Sequence, residues 1–455
     1  MDLILGVGLV LGVMILVHEW GHFIAARIFG VRVDVFSIGF GPRLFGWKRG
    51  ATDYRVSVLP LGGYVRMAGQ DPTEIDSVGR SATEAGSAMP TGAPDELMSK
   101  PRWQRAVISF AGPAVNLVFP ILLLTVYFVA IGIPYPVFED KPVVVTALPT
   151  NSTAGSAGLQ PGDRVISING EQHPTFAEAE KVISKIDPNS KITLDVENAG
   201  TKRTVEMVVR QKDIEQPEQL LGFAPIKPIL EDAAPGMPAS RAGLREGDVI
   251  RAVNGREIHW WGEFTEKVRG SSGNPVVLDV ERKNGQIAHL VVAPQAATND
   301  RGETIYQIGV QVHEDTSYRR VAFSEGTRFA VLKTYETIED TIGVVGKLLS
   351  GRVSVKQLQS VVGISRAAGQ AVHKGPQAVI SLMVLISVNL GILNLLPIPI
   401  LDGGNILLLA IEGGLRRDLS MAFKERFVQV GLVFLLVLFA IVMYNDVVRL
   451  LPSHS

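Results

Sequence analysis

Three long apolar runs stand out along the chain: Val107 to Ile133, Val379 to Leu396 and Phe427 to Tyr444. A bilayer-spanning helix needs about 20 mostly apolar residues, since the hydrocarbon core is about 30 Å thick and a helix rises about 1.5 Å per residue. A fourth run, Leu3 to Val17, is short, but a helical reading carries it through His18, Glu19 and His22 to about Phe29. The pattern therefore predicts about four spans, within residues 1–30, 106–133, 376–405 and 427–449. A signal peptide is the rival for the first run. It lacks a basic stretch before the apolar residues and a small-residue cleavage site after them, so an uncleaved span is the better reading.

Between the second and third spans the pattern changes to short β-rich runs separated by Gly and Asn-Gly turns, and it repeats. Ala157-Gly-Leu-Gln-Pro-Gly-Asp-Arg-Val-Ile-Ser-Ile-Asn-Gly170 reads against Ala242-Gly-Leu-Arg-Glu-Gly-Asp-Val-Ile-Arg-Ala-Val-Asn-Gly255, with Ala, Gly, Leu, Gly, Asp, Asn and Gly in common. Each copy reads as a short helix, a Gly-Asp turn, a strand and an Asn-Gly turn, followed by a helical patch and more strands. The repeat resembles tandem PDZ domains of bacterial processing proteases, which places modules at 143–212 and 221–295. Duplicated spacer domains are the plainer alternative. Residues 320–370 carry apolar positions at helical spacing among charges, chiefly Phe323 to Leu349, as in an amphipathic helix. Residues 31–105 join the first two spans. They hold the β-prone run Gly62-Gly-Tyr-Val-Arg-Met67 and a polar stretch, Asp71 to Lys100, that reads as a mobile loop. The fold class that follows is a polytopic α-helical membrane protein with a membrane-associated β-hairpin or loop and two α+β modules.

Composition agrees: 46% of the 455 residues are hydrophobic and 20% charged, with positive mean hydropathy. A net charge of −1 offers no field for nucleic acid. The chain has no cysteine, so thiolate metal sites, disulfides and a cysteine nucleophile are excluded, and any metal sits on His, Asp or Glu. Basic residues flank the spans unevenly. Arg27, Arg32, Arg43, Lys48, Arg49, Arg55 and Arg66 follow the first span; Arg102 and Arg105 precede the second; Arg416, Arg417, Lys424 and Arg426 separate the third and fourth. These segments are expected to face the cytoplasm, leaving both termini and the modules on the far, periplasmic side.

The chemistry concentrates in His18-Glu19-Trp20-Gly21-His22. Four-residue spacing on a helix puts both imidazoles on one face, able to grip one Zn²⁺, with Glu19 beside them as a general base. Ionisable groups inside a span are costly and by default functional. A catalytic zinc typically takes three protein ligands. The intramembrane candidate for the third is Asp402, in Asn394-Leu-Leu-Pro-Ile-Pro-Ile-Leu-Asp-Gly-Gly404, where prolines and glycines break the helix. His173, His259, His289, His313, His373 and His454 read as ordinary surface or core histidines.

Together these motifs resemble the site-2 protease family, and within it the bacterial regulator-of-sigma-E protease branch. The resemblance spans essentially the whole chain and includes Phe36-Ser-Ile-Gly-Phe-Gly41, Pro60-Leu-Gly-Gly-Tyr-Val-Arg-Met67 and Ala111-Gly-Pro-Ala-Val-Asn116. It implies an intramembrane zinc endopeptidase of the bacterial inner membrane. Such an enzyme acts on single-pass proteins, such as anti-sigma factors, and on remnant signal peptides, after a site-1 type protease has trimmed the far side. His18, His22 and Asp402 match the family's zinc ligands and Glu19 its catalytic glutamate. The chain departs from the family at Asn405, where His is frequent, and at Ser360-Val-Val-Gly363, where Ser-Gly-Pro is frequent.

A substrate helix must be unwound before its amides can be attacked, and the freed backbone needs new partners. Gly62, Gly63, Tyr64 and Val65 suit strand addition, and the resemblance likewise implies a membrane-reentrant β-loop here. A plain cytoplasmic hairpin is the alternative. Asn389 and Asn394 could hold such a backbone or an oxyanion, or could simply bond a neighbouring helix, the role expected of Asn116. A PDZ-based membrane scaffold with a structural zinc site is the rival function, but such a site has no use for Glu19. A metal transporter would spread polar groups over several spans.

Overall fold

The computed structural model describes residues 2–70, 91–234, 236–298, 304–350 and 361–450. Most of the polar loop expected after Asp71, together with Ser360 and His454, lies outside them. The chain forms two compact units, Met1–Ile133 with Arg320–Ser455, and Pro134–Arg319. Among the described residues four helical stretches are long and apolar enough to cross a membrane: Val10–Ile28, Arg102–Ala130, Pro376–Leu395 and Met421–Tyr444.

In the first unit, helix α1 (Asp2–Ile28) packs on α2 (Arg102–Ala130). Small residues let the two come close: a Cβ on Gly21 would stand 2.4 Å from the Ala111 carbonyl oxygen. Helix α3 (Phe323–Leu349) lies against α2, and α4 (Val361–Lys374) against α1. Helix α5 (Pro376–Leu395) also packs on α2, where Gly391 fits against Leu117 and Pro113.

The reading from sequence carried the third span to residue 405. The chain instead leaves α5 at Leu395 and starts a separate helix, α6 (Asp402–Leu415), before α7 (Met421–Leu450). Pro397 and Pro399 lack the amide hydrogens a helix would use and push the residues before them out of the helical region. Between the helices Ile400 adopts φ +86°, an unusual value for a β-branched residue. Gly403 and Gly404 let α6 close back on the break, since a Cβ there would stand 2.2 Å and 2.3 Å from the carbonyl oxygens of Leu396 and Ile398.

Strands β1 (Val33–Arg49) and β2 (Thr52–Met67) are far longer than the β-prone run at Gly62 to Met67 alone. They fold back on each other, so that Phe36 pairs with Val65 on one side and Tyr54 on the other. The Gly63–Met67 run is thus an outer strand of the sheet.

The second unit holds the sequence repeat. In the first copy the antiparallel strands Glu171–Gln172, Arg164–Ile168, Lys191–Asn198 and Thr201–Val208 lie in that spatial order. In the second the order is Arg256–Glu257, Val249–Val253, Val276–Glu281 and Ile287–Val292. The helices Phe176–Ile183 and Trp261–Gly270 contribute Phe176 and Phe264 to the two cores. The repeated residues do the same work twice. Asp163 and Asp248 are buried, accept backbone N–H bonds from Gln160 and Arg245, and pair with Arg203 and Arg282. Asn169 and Asn254 both take φ +50° before glycines and accept from the amides of Thr193 and Val277. Asn-Gly is the pair that such a tight turn prefers.

Candidate metal centre

One turn of α1 separates His18 from His22, and the first residue of α6 supplies Asp402. Asp402 Oδ2 lies 3.2 Å from His18 Nε2 and Oδ1 lies 3.3 Å from His22 Nε2. The two Nε2 atoms are themselves 3.2 Å apart. A zinc ion with ligands at about 2.0–2.1 Å in tetrahedral array holds them about 3.3 Å from one another. The donor set fits such an ion in both chemistry and spacing. Among the described residues no other group of His, Asp or Glu side chains converges in this way.

The outer ring nitrogens are also engaged. His22 Nδ1 lies 2.8 Å from the Ile108 carbonyl oxygen, which accepts a proton on Nδ1 and leaves Nε2 a lone pair. His18 Nδ1 lies 3.2 Å from the Asn116 side-chain amide. Both helices α1 and α2 therefore determine how the rings sit. Gly112 makes room for the His22 ring.

Beside these groups is a cavity of about 390 Å³. Glu19, Gly63, Tyr64, Val65, Asn394 and Asn405 line it together with the two histidines and Asp402. Gly63 is close-set: a Cβ there would stand 2.8 Å from the Ser37 carbonyl oxygen and 3.5 Å from Glu19 Cγ. Asn394 Nδ2 is 3.5 Å from His18 Nε2. Two residues singled out from sequence are placed otherwise. Gly62 backs onto the Phe40 ring, and Asn389 accepts a hydrogen bond from Thr341 on α3 and is not among the cavity-lining residues. His259, His289 and His313 are exposed residues of the other unit, His173 belongs to that unit too, and His373 is exposed at the end of α4. None joins the cluster.

Sequence reasoning missed Ile108 and Gly112 and took Asn116 for packing alone. A signal existed only for Asn116, a buried amide in an otherwise apolar span. A backbone carbonyl and a missing side chain carry none.

A membrane protein whose helices bring two imidazoles and a carboxylate onto one point, with a glutamate beside them, is by class an intramembrane metalloprotease. Residues 7–438 match the model of peptidase family M50, and the chain belongs to that family. The regulator of sigma-E protease RseP of Escherichia coli K12 is 33% identical to it over 459 residues, 97% of both chains. Protease RseP of Yersinia pestis is 31% identical over 458 residues, again 97% of both. A Vibrio cholerae protein provisionally named a zinc metalloprotease is 32% identical over 460 residues, with the same coverage. The chain is thus a zinc metalloprotease of site-2 type, and its cofactor is Zn²⁺.

Proposed function

We propose that this protein cuts single-pass membrane proteins within or beside the bilayer, using His18, His22 and Asp402 as zinc ligands and Glu19 as the general base. The observation that carries the reading is the convergence of His18 Nε2, His22 Nε2 and both Asp402 oxygens within hydrogen-bond distances, next to a cavity that Glu19 lines. Zinc supplies Lewis-acid polarisation and acidifies water at neutral pH. Glu19 takes the proton from the attacking water as it adds to the scissile carbonyl, then delivers it to the departing amine. The outer strand at Gly63 to Val65 lies along the same cavity, so an unwound substrate there runs beside a β-strand and can pair with it. Asn394 lines the cavity, which supports its role in holding the substrate backbone or the oxyanion.

The substrates are remnants left by an earlier far-side cleavage, of anti-sigma-factor type or signal peptides. The two repeats are PDZ modules facing the periplasm, an orientation that the basic flanks of the spans support for an inner-membrane protein. Co-expression with a panel of truncated single-pass proteins tests this. Cleavage that depends on Glu19 supports the reading; equal cleavage with and without Glu19→Gln overturns it.

A further inference from the structure

The Asn116 side chain is fully buried in α2 at 0% exposure, between α1 and α5, and reaches a ring of the metal centre. Its backbone is held as firmly. Pro120, four residues on, has no N–H to bond the Asn116 carbonyl in the helix. That carbonyl instead accepts a 2.7 Å hydrogen bond from Ser387 Oγ on α5. Ser387, Asn116 and His18 thus form a chain of contacts across three helices, ending at a metal-facing imidazole.

The chemistry of the ring decides what Asn116 must do. A neutral imidazole that coordinates through Nε2 carries its proton on Nδ1, and that proton needs an acceptor. The placed amide sets Nδ2, a donor, 3.2 Å from Nδ1 and leaves Oδ1 buried without a partner. The two ends of a carboxamide have the same shape, and their assignment follows from the bonds they must make. A half-turn of the amide puts Oδ1 against His18 Nδ1, where it accepts the proton. His22 has the same arrangement already, with the Ile108 carbonyl as acceptor. We infer that Asn116 is a positioning residue for the metal centre, its Oδ1 accepting from His18 Nδ1 and so fixing the tautomer and orientation that present Nε2 to zinc. The inference rests on the reading of His18 as a ligand.

Zinc affinity of the purified full-length protein, measured by competition with a chelator, tests it, with the absorption spectrum of the Co²⁺-substituted protein as a second readout. Asn116→Leu keeps the volume but removes the acceptor, and is expected to weaken zinc binding about 10–100-fold, as loss of such outer partners does. Asn116→Asp keeps an acceptor and removes the donor, so it is expected to bind zinc at least as tightly as the parent, with an unchanged Co²⁺ spectrum. The Asp variant alone remains decisive should the Leu variant fail to fold. Asp binding zinc about tenfold or more weakly than the parent, or Leu binding as tightly as the parent, overturns the inference. A parent protein that holds no more zinc than His18→Ala overturns the metal-centre reading itself, and this inference with it.

Discussion

Gly112 on α2 lies directly against His22 on α1: a Cβ added to Gly112 would stand 2.3 Å from His22 Nε2. The contacting atom belongs to a ring already tied to Ile108 and set beside Asp402, so it cannot give way without leaving the centre. Gly112→Ala is expected to lower zinc affinity at least about tenfold and activity with it, while overpacking costs about 1–3 kcal/mol of stability. Metal analysis after dialysis against a graded chelator checks this. Full zinc retention in a folded variant means that the ring has another place to go.

Glu19→Gln and Asp402→Ala should separate chemistry from metal binding. Glutamine cannot take a proton, so the first variant is expected to hold zinc while cleavage falls by about 10²–10⁴-fold. The second removes one of the three proposed zinc ligands and should lose zinc and cleavage together. Zinc content and cleavage are measured on the same preparations. Wild-type zinc affinity in Asp402→Ala assigns the third ligand elsewhere.

Gly63→Val tests the strand beside the cavity. The first added carbon would stand 2.8 Å from the Ser37 carbonyl oxygen and 3.5 Å from Glu19 Cγ. Cleavage is expected to drop at least about tenfold with zinc binding unchanged, since a misplacement of about 1 Å near the reacting groups can cost about 10²-fold. A parallel loss of zinc contradicts that assignment.

Replacing residues 143–294 with a flexible linker tests whether the two modules act as a gate that keeps untrimmed substrates from the metal centre. His18, Glu19, His22 and Asp402 all belong to the other unit, so a gating role asks no catalytic group of the modules. A truncated substrate should still be cut, and an untrimmed one should now be cut to some extent. Both are compared in the same cells at matched enzyme levels. A stable, zinc-loaded deletion protein that cuts neither shows that the modules are needed for productive binding.

Local order was legible in the sequence because local geometry sets it. A spacing of four from His18 to His22 means one helical face whatever surrounds them. A run of about 20 apolar residues means a span, and Gly-Asp and Asn-Gly recurring in register mean a duplicated module. Asp402 stood out as a carboxylate beside broken apolar helix. The rest depended on how far each helix turns and how deep it sits against its neighbours. That is decided by close approaches at Gly21, Gly112 and Gly391, which no spacing along the chain encodes. The same packing turned Asn116 toward His18 and Asn389 toward Thr341, two similar amides on spans sent to different partners. It also bent β1 and β2 into a sheet whose outer strand runs along the cavity. The sequence named the groups that carry charge; tertiary packing decided which of them meet, because a contact between helices depends on all the side chains between their axes at once.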